Sequence, residues 1–225
     1  MTRPSHLRDI MDFKPGDIAA CHGDDWTSRV IRWGTCSLFS PPGLRLGPSH
    51  VALICDWRKE MVWVESTTLC SRSCLLRGDR VSGAQVHQPI DRISDYLHHG
   101  GRVDIYRLSH FHRLSSQESH LLSRLVLNDF VRVNVRYDMG GALLSGTRVF
   151  QMTRLFPGAN LDQLFCSELV AAVVMRLNRM NHANPSRFHP ARLLRELVRT
   201  GKYRRYASIR PSGTLYYHAQ GGDNA

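Results

Sequence analysis

The chain has 225 residues, of which 42% are hydrophobic and 22% charged, and this composition predicts a globular protein and excludes a disordered or fibrous one. Its Lys and Arg residues outnumber its Asp and Glu residues, and the net charge of +11 favours anionic partners such as phosphates, anionic membranes or acidic wall polymers. Nucleic acid is not expected as a partner, because the sequence has no zinc-finger spacing, basic heptad region or aromatic ribonucleoprotein motif.

The length suits a single domain over residues 1–225. The first residues carry charges but no apolar leader, and no run of apolar residues is long enough to span a bilayer. We therefore expect no transmembrane segment and a cytoplasmic protein, unless a dedicated secretion machine delivers it to the periplasm of a target cell.

The first half of the chain reads as strands joined by turns. The apolar run 16–21 predicts a strand, and a loop rich in Pro and Gly at 40–49 leads into the next one. The runs 50–55 and 61–67 predict a β-hairpin. If Leu53 pairs with Val62, His50 stands directly opposite Glu65, although a slip by one residue would separate the two side chains.

The second half is mainly helical. The segment 70–100 is rich in Arg, Ser and Gly and reads as a loop with a short strand and a helical turn near its end. We predict a strand at 102–108, and helices at 115–132, 161–180 and 186–202. Ser115 and Glu118 form a capping-box pattern at the start of the first of these helices. The segment after residue 202 can add an edge strand.

Cys166 stands where the apolar pattern of the 161–180 helix begins. A helix N-terminus favours a thiolate, which is the nucleophilic form of cysteine. Asp162 can cap the helix earlier, and Cys166 would then lie in the second turn and gain less. A buried cysteine that only fills space on a core helix is the commoner case, so Cys166 alone leaves both interpretations open.

Cysteine catalysis also needs a base to exchange the proton and a polar group to orient that base. His50 and Glu65 meet this description if their strands pair as predicted. With 12 histidines in the chain, chance pairings are easy, and a histidine at the start of a strand is usually only a half-buried polar residue.

Six motifs, taken in order, resemble a known family. The set resembles the circularly permuted papain-like amidases, the YiiX-like branch of the superfamily that includes NlpC-type cell-wall peptidases and lecithin:retinol acyltransferase. In that branch the histidine comes first and the cysteine late, as here. The motifs are "KPGDIAA", "PSHVALI", "VWVEST", "VRYDMGGAL", "LFCSELV" and "HPARLL".

The resemblance implies an α+β, permuted papain-like (NlpC-type) fold with a small antiparallel sheet of five or six strands. We expect the cysteine helix and the 115–132 helix to pack on one face of this sheet. The catalytic core would span about 14–200, followed by a basic C-terminal tail at about 201–225.

The resemblance also implies roles for individual residues. Cys166 would be the nucleophile, His50 the general base and acid, and Glu65 the group that orients His50. Tyr137 is expected near the site, by analogy with a tyrosine that holds the oxyanion or the substrate, and Ser49 and Ser167 are further substrate-binding candidates.

No metal or organic cofactor is expected. Cys21 and His22 have no second pair at zinc-like spacing, and the lone C-x3-C of Cys70 and Cys74 is a weak signal.

The implied activity is hydrolysis of an amide or ester through an acyl-enzyme, with a bacterial cell-wall peptide as the first substrate class and a role as a delivered antibacterial toxin as one setting. A lipid-acting enzyme, such as a phospholipase, thioesterase or acyltransferase, is the alternative. A non-catalytic protein that binds lipid or peptide in the same pocket is a second alternative. The positive charge suits a membrane or an anionic wall polymer as a docking surface.

Overall fold

The computed structural model describes residues 11–24, 42–68, 70–133 and 166–218, together with Trp26, Ser28, Arg29, Trp33 and Cys36. These residues form an α+β structure around one seven-stranded antiparallel sheet. In the described part of the chain, no helix has the length and apolar character needed to cross a membrane.

The sheet has the strand order β4-β3-β2-β1-β5-β6-β7, so the predicted hairpin β2–β3 lies beside the first strand of the chain. It has more strands than the five or six we expected. The strands are β1 (Ile18–His22), β2 (His50–Trp57), β3 (Glu60–Thr67), β4 (Gly83–His87), β5 (Arg102–Leu108), β6 (Tyr203–Ile209) and β7 (Leu215–Tyr217).

The register of the β2–β3 hairpin differs from the predicted one. Leu53 pairs with Val64 rather than with Val62, which is a shift of two residues. Because side chains alternate between the two faces with a period of two, an even shift leaves every residue on its predicted face. His50 and Glu65 are therefore diagonal rather than direct neighbours, and they still lie on the same side of the sheet.

Four longer helices of the described chain pack against the sheet. The cysteine helix and the helix that begins at Ser116 share one face, as expected, whereas the helix that begins at Pro89 covers the other face. The four helices are α1 (Pro89–His98), α2 (Ser116–Arg124), α3 (Cys166–Arg176) and α4 (Pro190–Arg199). Shorter helical segments lie at Pro42–Arg45, His110–His112 and Pro185–Arg187, and the π-helical segment Leu125–Arg132 continues α2.

Two apolar clusters cover the two faces of the sheet. In the larger cluster, Val51 and Leu53 of β2 meet buried leucines of α2, α3 and α4. In the smaller cluster, Ala52 and Ile54 of the same strand meet the buried isoleucines of α1. Because side chains alternate along β2, the strand contributes apolar residues to both faces of the sheet. Helix α1 lies where the sequence predicted only a helical turn near the end of the segment 70–100, and its 10 residues cover the second face.

Local signals in the sequence set the starts of two helices. Ser115 and Glu118 make the reciprocal hydrogen bonds of a capping box at the start of α2, as predicted. Pro190 is the first residue of α4, where its missing N–H leaves no helical hydrogen bond unmade. The described part of the predicted 161–180 helix ends at Arg176, earlier than the apolar pattern suggested.

The segment beyond residue 200, expected to be a basic tail that can add an edge strand, adds two strands to the sheet. Strand β6 pairs with β5, and β7 pairs with β6 at the edge. Tyr203 and Ala207 of β6 are buried, and the Tyr203 hydroxyl donates a hydrogen bond to the carbonyl of Gly16 at 3.0 Å.

The loop that leads into β2 touches helix α4 at Gly47. A Cβ atom on Gly47 would overlap the Cβ of Ala191 and lie 2.7 Å from its Cα. Gly47 is three residues before His50, so this close approach fixes the loop from which the histidine strand begins.

We expect Gly47→Ala to lower the free energy of unfolding by about 2 kcal/mol, because overpacking forces the loop and α4 apart. Chemical denaturation measures the change. Ala191→Gly in the same chain removes the overlapping Cβ and should restore part of the loss. Unchanged stability in Gly47→Ala would contradict the close contact.

Candidate active site

His50 and Glu65 are joined by a short hydrogen bond at the end of the sheet. The Nε2 atom of His50 lies 2.7 Å from Oε2 of Glu65. The Glu65 side chain is fully buried, whereas 12% of the His50 side chain is exposed. His50 is the first residue of β2, and its ring contacts the carboxylate while a small part of the side chain stays exposed.

The second oxygen of Glu65 is held by an arginine that the sequence analysis did not single out. Arg92 of α1 donates from Nε to Oε1 of Glu65 at 2.6 Å. Burial alone would raise the pKa of Glu65, but the charge of Arg92 and the contacts with His50 outweigh it, and the pKa of this carboxyl lies well below its usual range. Glu65 is therefore ionised at neutral pH.

Cys166 is the first residue of α3 in the described chain and is 4% exposed. Its sulfur interacts with the His50 side chain both through charge and through a hydrogen bond. Burial lowers the pKa of His50, but Cys166 and Glu65 outweigh burial and raise that pKa to about 10. The imidazole is thus stabilised as a cation between a sulfur and a carboxylate.

Two further residues near the sulfur were not predicted. Cys21 of β1 pairs with His50 across the strands, and Tyr96 of α1 lies with its ring centroid 6.4 Å from that of His50, nearly parallel to it. Burial is the main cause that raises the pKa of both the Cys21 thiol and the Tyr96 hydroxyl, so both keep their protons at neutral pH. The sequence predicted a helical turn around Tyr96, but the contact of its ring with His50 depends on tertiary packing and could not be predicted from the sequence.

The three predicted substrate-binding residues have different outcomes. The Ser49 hydroxyl accepts a hydrogen bond from the Gly23 backbone N–H and donates one to the Cys21 carbonyl, each at 3.2 Å, so it ties two loops together beside the site. Ser167 follows Cys166 and is fully buried, and its hydroxyl has no hydrogen-bond partner among the described residues. Tyr137 lies outside the described residues.

A possible metal site adjoins Glu65, but its donor atoms do not fit a metal well. Glu65, Cys70 and His87 place one donor atom each within 4.8 Å of one another. Both Glu65 oxygens already accept hydrogen bonds, and the Arg92 cation lies beside them. Nε2 of His87 lies 2.9 Å from Oε1 of Gln85, an oxygen fixed because the amide nitrogen of Gln85 donates to a backbone carbonyl. In this arrangement Nε2 donates to Gln85, so a metal at Nε2 would have to displace that proton and break the hydrogen bond.

Comparisons with known proteins give a similarity in structure but none in sequence. No protein-family model matches the chain, and no curated protein matches it in sequence. Among solved structures, the chain is similar to the crystal structure of the metalloprotein YiiX (DUF1105) from Escherichia coli O157:H7, at 15% identity and a TM-score of 0.48. The match covers 74% of this chain and 67% of that chain. A likeness at this level concerns the general fold and does not extend to activity or metal binding.

The elevated pKa of His50 predicts a pH dependence with a definite sign. The pKa of a histidine in the unfolded chain is about 6.5, whereas the pKa of His50 in the folded protein is about 10. Protonated His50 therefore contributes fully to stability below about pH 6.5, and this contribution is lost as the pH rises through about 10.

We expect Cys166→Ala to lower the titration midpoint of His50 by about one pH unit or more, because the charge of Cys166 is the largest contribution that raises the His50 pKa. NMR of the imidazole resonances, assigned with His50→Gln, measures the midpoint. An identical midpoint with and without Cys166 would show that the two side chains do not interact.

Proposed function

We propose that this protein is a cysteine hydrolase in which Cys166 attacks an amide or ester carbonyl, His50 transfers the proton, and Glu65 orients His50. The observation that supports this most directly is the short His50–Glu65 hydrogen bond with the Cys166 sulfur on the same imidazole. Nucleophile, base and orienting group in this order are the arrangement that covalent cysteine catalysis requires.

The proposed reaction begins with the Cys166 thiolate, whose sulfur forms a bond to the substrate carbonyl carbon. Because Nε2 of His50 is occupied by Glu65, Nδ1 is the nitrogen that faces the reaction and donates its proton to the leaving amine or alcohol. Collapse of the tetrahedral intermediate breaks the bond to that leaving group and gives a thioester. A water molecule then gives a proton to Nδ1, attacks the thioester and releases the acid and the thiolate.

The start of α3 is suited to stabilise the oxyanion of this intermediate. Backbone N–H groups in the first turn of a helix have no partner within the helix and point out of its N-terminus. Cys166 is the first residue of α3 in the described part of the chain. We propose that its N–H donates to the oxyanion, as in enzymes where the donor comes from the nucleophile's own residue.

We also propose that the arrangement is the permuted form of a papain-like hydrolase. The histidine strand β2 and the glutamate strand β3 precede the cysteine helix α3 in the chain, and α3 packs on the sheet at these two strands. The motif order that carried the resemblance in the sequence supports the same view.

The substrate class that we propose first is a peptide of the bacterial cell wall. The support is the resemblance to NlpC-type peptidases and the net charge of +11, which favours an anionic wall polymer. Purified peptidoglycan and anionic phospholipid vesicles, assayed in parallel by mass spectrometry, distinguish this class from a lipid substrate. Released muropeptides support the peptidase, released fatty acids support a lipid-acting hydrolase, and neither product contradicts both.

We expect Cys166→Ser to reduce the rate of product release by about a thousandfold or more with its fold intact, because a hydroxyl is a much weaker nucleophile than a thiolate at neutral pH. Circular dichroism checks the fold. Cys36→Ser is the matched control, since Cys36 is a half-buried free cysteine that we do not place in the site, and it should keep full activity. Turnover that survives Cys166→Ser would rule out the proposed nucleophile.

A further inference from the structure

We propose that Arg92 is a positioning residue of this site and that, through Asp95, it connects Glu65 to the surface residue Arg72 in a row of alternating charges. The inference rests on the proposed function, because it explains how the orienting carboxylate keeps its charge and its direction. It assigns a role to the Arg-rich segment 70–100, for which the sequence gave none.

Short hydrogen bonds join each side chain of the row to the next. Arg92 donates from Nε to Glu65 at 2.6 Å and from Nη1 to Oδ2 of Asp95 at 2.8 Å. Arg72 then donates to both oxygens of Asp95, from Nε at 2.7 Å and from Nη2 at 2.6 Å. The exposed fraction of the side chains rises along the row, from 0% for Glu65 and 9% for Arg92 to 28% for Asp95 and 38% for Arg72.

Helix α1 gives this row its geometry. Arg92, Asp95 and Tyr96 are three and four residues apart, so they lie on one face of the helix. The Arg92 guanidinium lies 5.3 Å from the centre of the Tyr96 ring, and that ring lies beside His50. The helix therefore supports both the carboxylate of Glu65 and the imidazole of His50. The fork-shaped guanidinium of Arg92 donates to Glu65 and Asp95 together, which a single ammonium group does less well.

Charge balance explains why the site needs this arginine. In the reactive state, Cys166 and Glu65 are both anions, and His50 supplies only one positive charge between them. A buried group of charges is stable only when each charge is compensated. Arg92 supplies the missing positive charge, and Asp95 and Arg72 continue the alternation until it reaches solvent.

Other titratable groups also face Glu65, but Arg92 is the largest influence that favours its charged form. The charge of Arg92 leads the causes that lower the pKa of Glu65, ahead of the contacts with His50. The Cys21, Cys70 and Tyr96 groups keep their protons because their pKa values are raised, and the lowered pKa of His87 keeps that ring neutral. The groups that face the carboxylate are His50, Arg92, Cys21, Cys70, Tyr96 and His87.

The test is the titration of the Glu65 carboxyl, measured by NMR on protein labelled with 13C at the glutamate carboxyl and assigned with Glu65→Gln. In the native protein we expect Glu65 to stay ionised from about pH 3 to about pH 9. In Arg92→Gln its midpoint should rise by about two pH units or more, because a buried carboxylate without a cation takes up a proton. Arg92→Lys keeps the charge and should restore most of the shift.

A second variant, Arg72→Gln, keeps the proposal testable if Arg92→Gln does not fold. Arg72→Gln changes a partly exposed residue and should raise the same midpoint by a smaller amount, because Asp95 then competes more strongly for Arg92. Arg199→Gln is the matched control, since Arg199 pairs with Glu196 on α4, and it should leave the midpoint unchanged. A Glu65 midpoint at its native value in folded Arg92→Gln overturns the proposal, and so does an unchanged midpoint in Arg72→Gln if Arg92→Gln does not fold.

This titration does not depend on turnover, so it can fail separately from the proposed function. If Cys166→Ser keeps its activity while Arg92→Gln shifts the Glu65 midpoint, the hydrolase is wrong and the charge row stands. If Cys166→Ser is inactive and the midpoint does not move, the hydrolase stands and Arg92 has no positioning role.

Discussion

The geometry of the candidate active site depends on one buried carboxylate, that of Glu65. Glu65 has no exposed side-chain surface, and a charge in such a place is unfavourable by several kcal/mol unless it is fully paired. Its two oxygens accept hydrogen bonds from two different elements, His50 at the start of a strand and Arg92 on a helix. Because each partner uses a different oxygen, the carboxylate cannot rotate without losing a contact, and the imidazole is fixed with it.

The sheet and its two layers of helices bring these partners together. Strand β2 begins at His50, and the Cys166 side chain, at the first described residue of α3, interacts with its imidazole from one layer of helices. Helix α1 covers the opposite face and delivers Arg92 to the carboxylate. A thiol, an imidazole, a carboxylate and a guanidinium from four elements thus meet at one end of the sheet, although more than a hundred residues separate the first from the last in the chain.

Much of this could be predicted from the sequence where the signals were local. The alternation of the hairpin and the capping box of Ser115 specified elements that the structure contains. The exact register could not be predicted, because β2 and β3 satisfy the same apolar alternation after a shift of two residues. Arg92 was missed for a different reason. Its helix has a polar exposed face and a narrow buried one, and a charge that is buried only through tertiary contacts looks in sequence like any surface arginine.

Whether His50 activates Cys166 can be tested by the rate at which iodoacetamide alkylates Cys166 at about pH 7. The rate is measured by mass spectrometry relative to Cys36 in the same molecule. A thiolate held by an imidazolium reacts faster than an ordinary thiol. If His50 activates Cys166, Cys166 reacts about tenfold faster than Cys36 or more, and His50→Gln removes this advantage. A Cys166 that reacts no faster than Cys36, or whose rate is unaffected by His50→Gln, would contradict this activation.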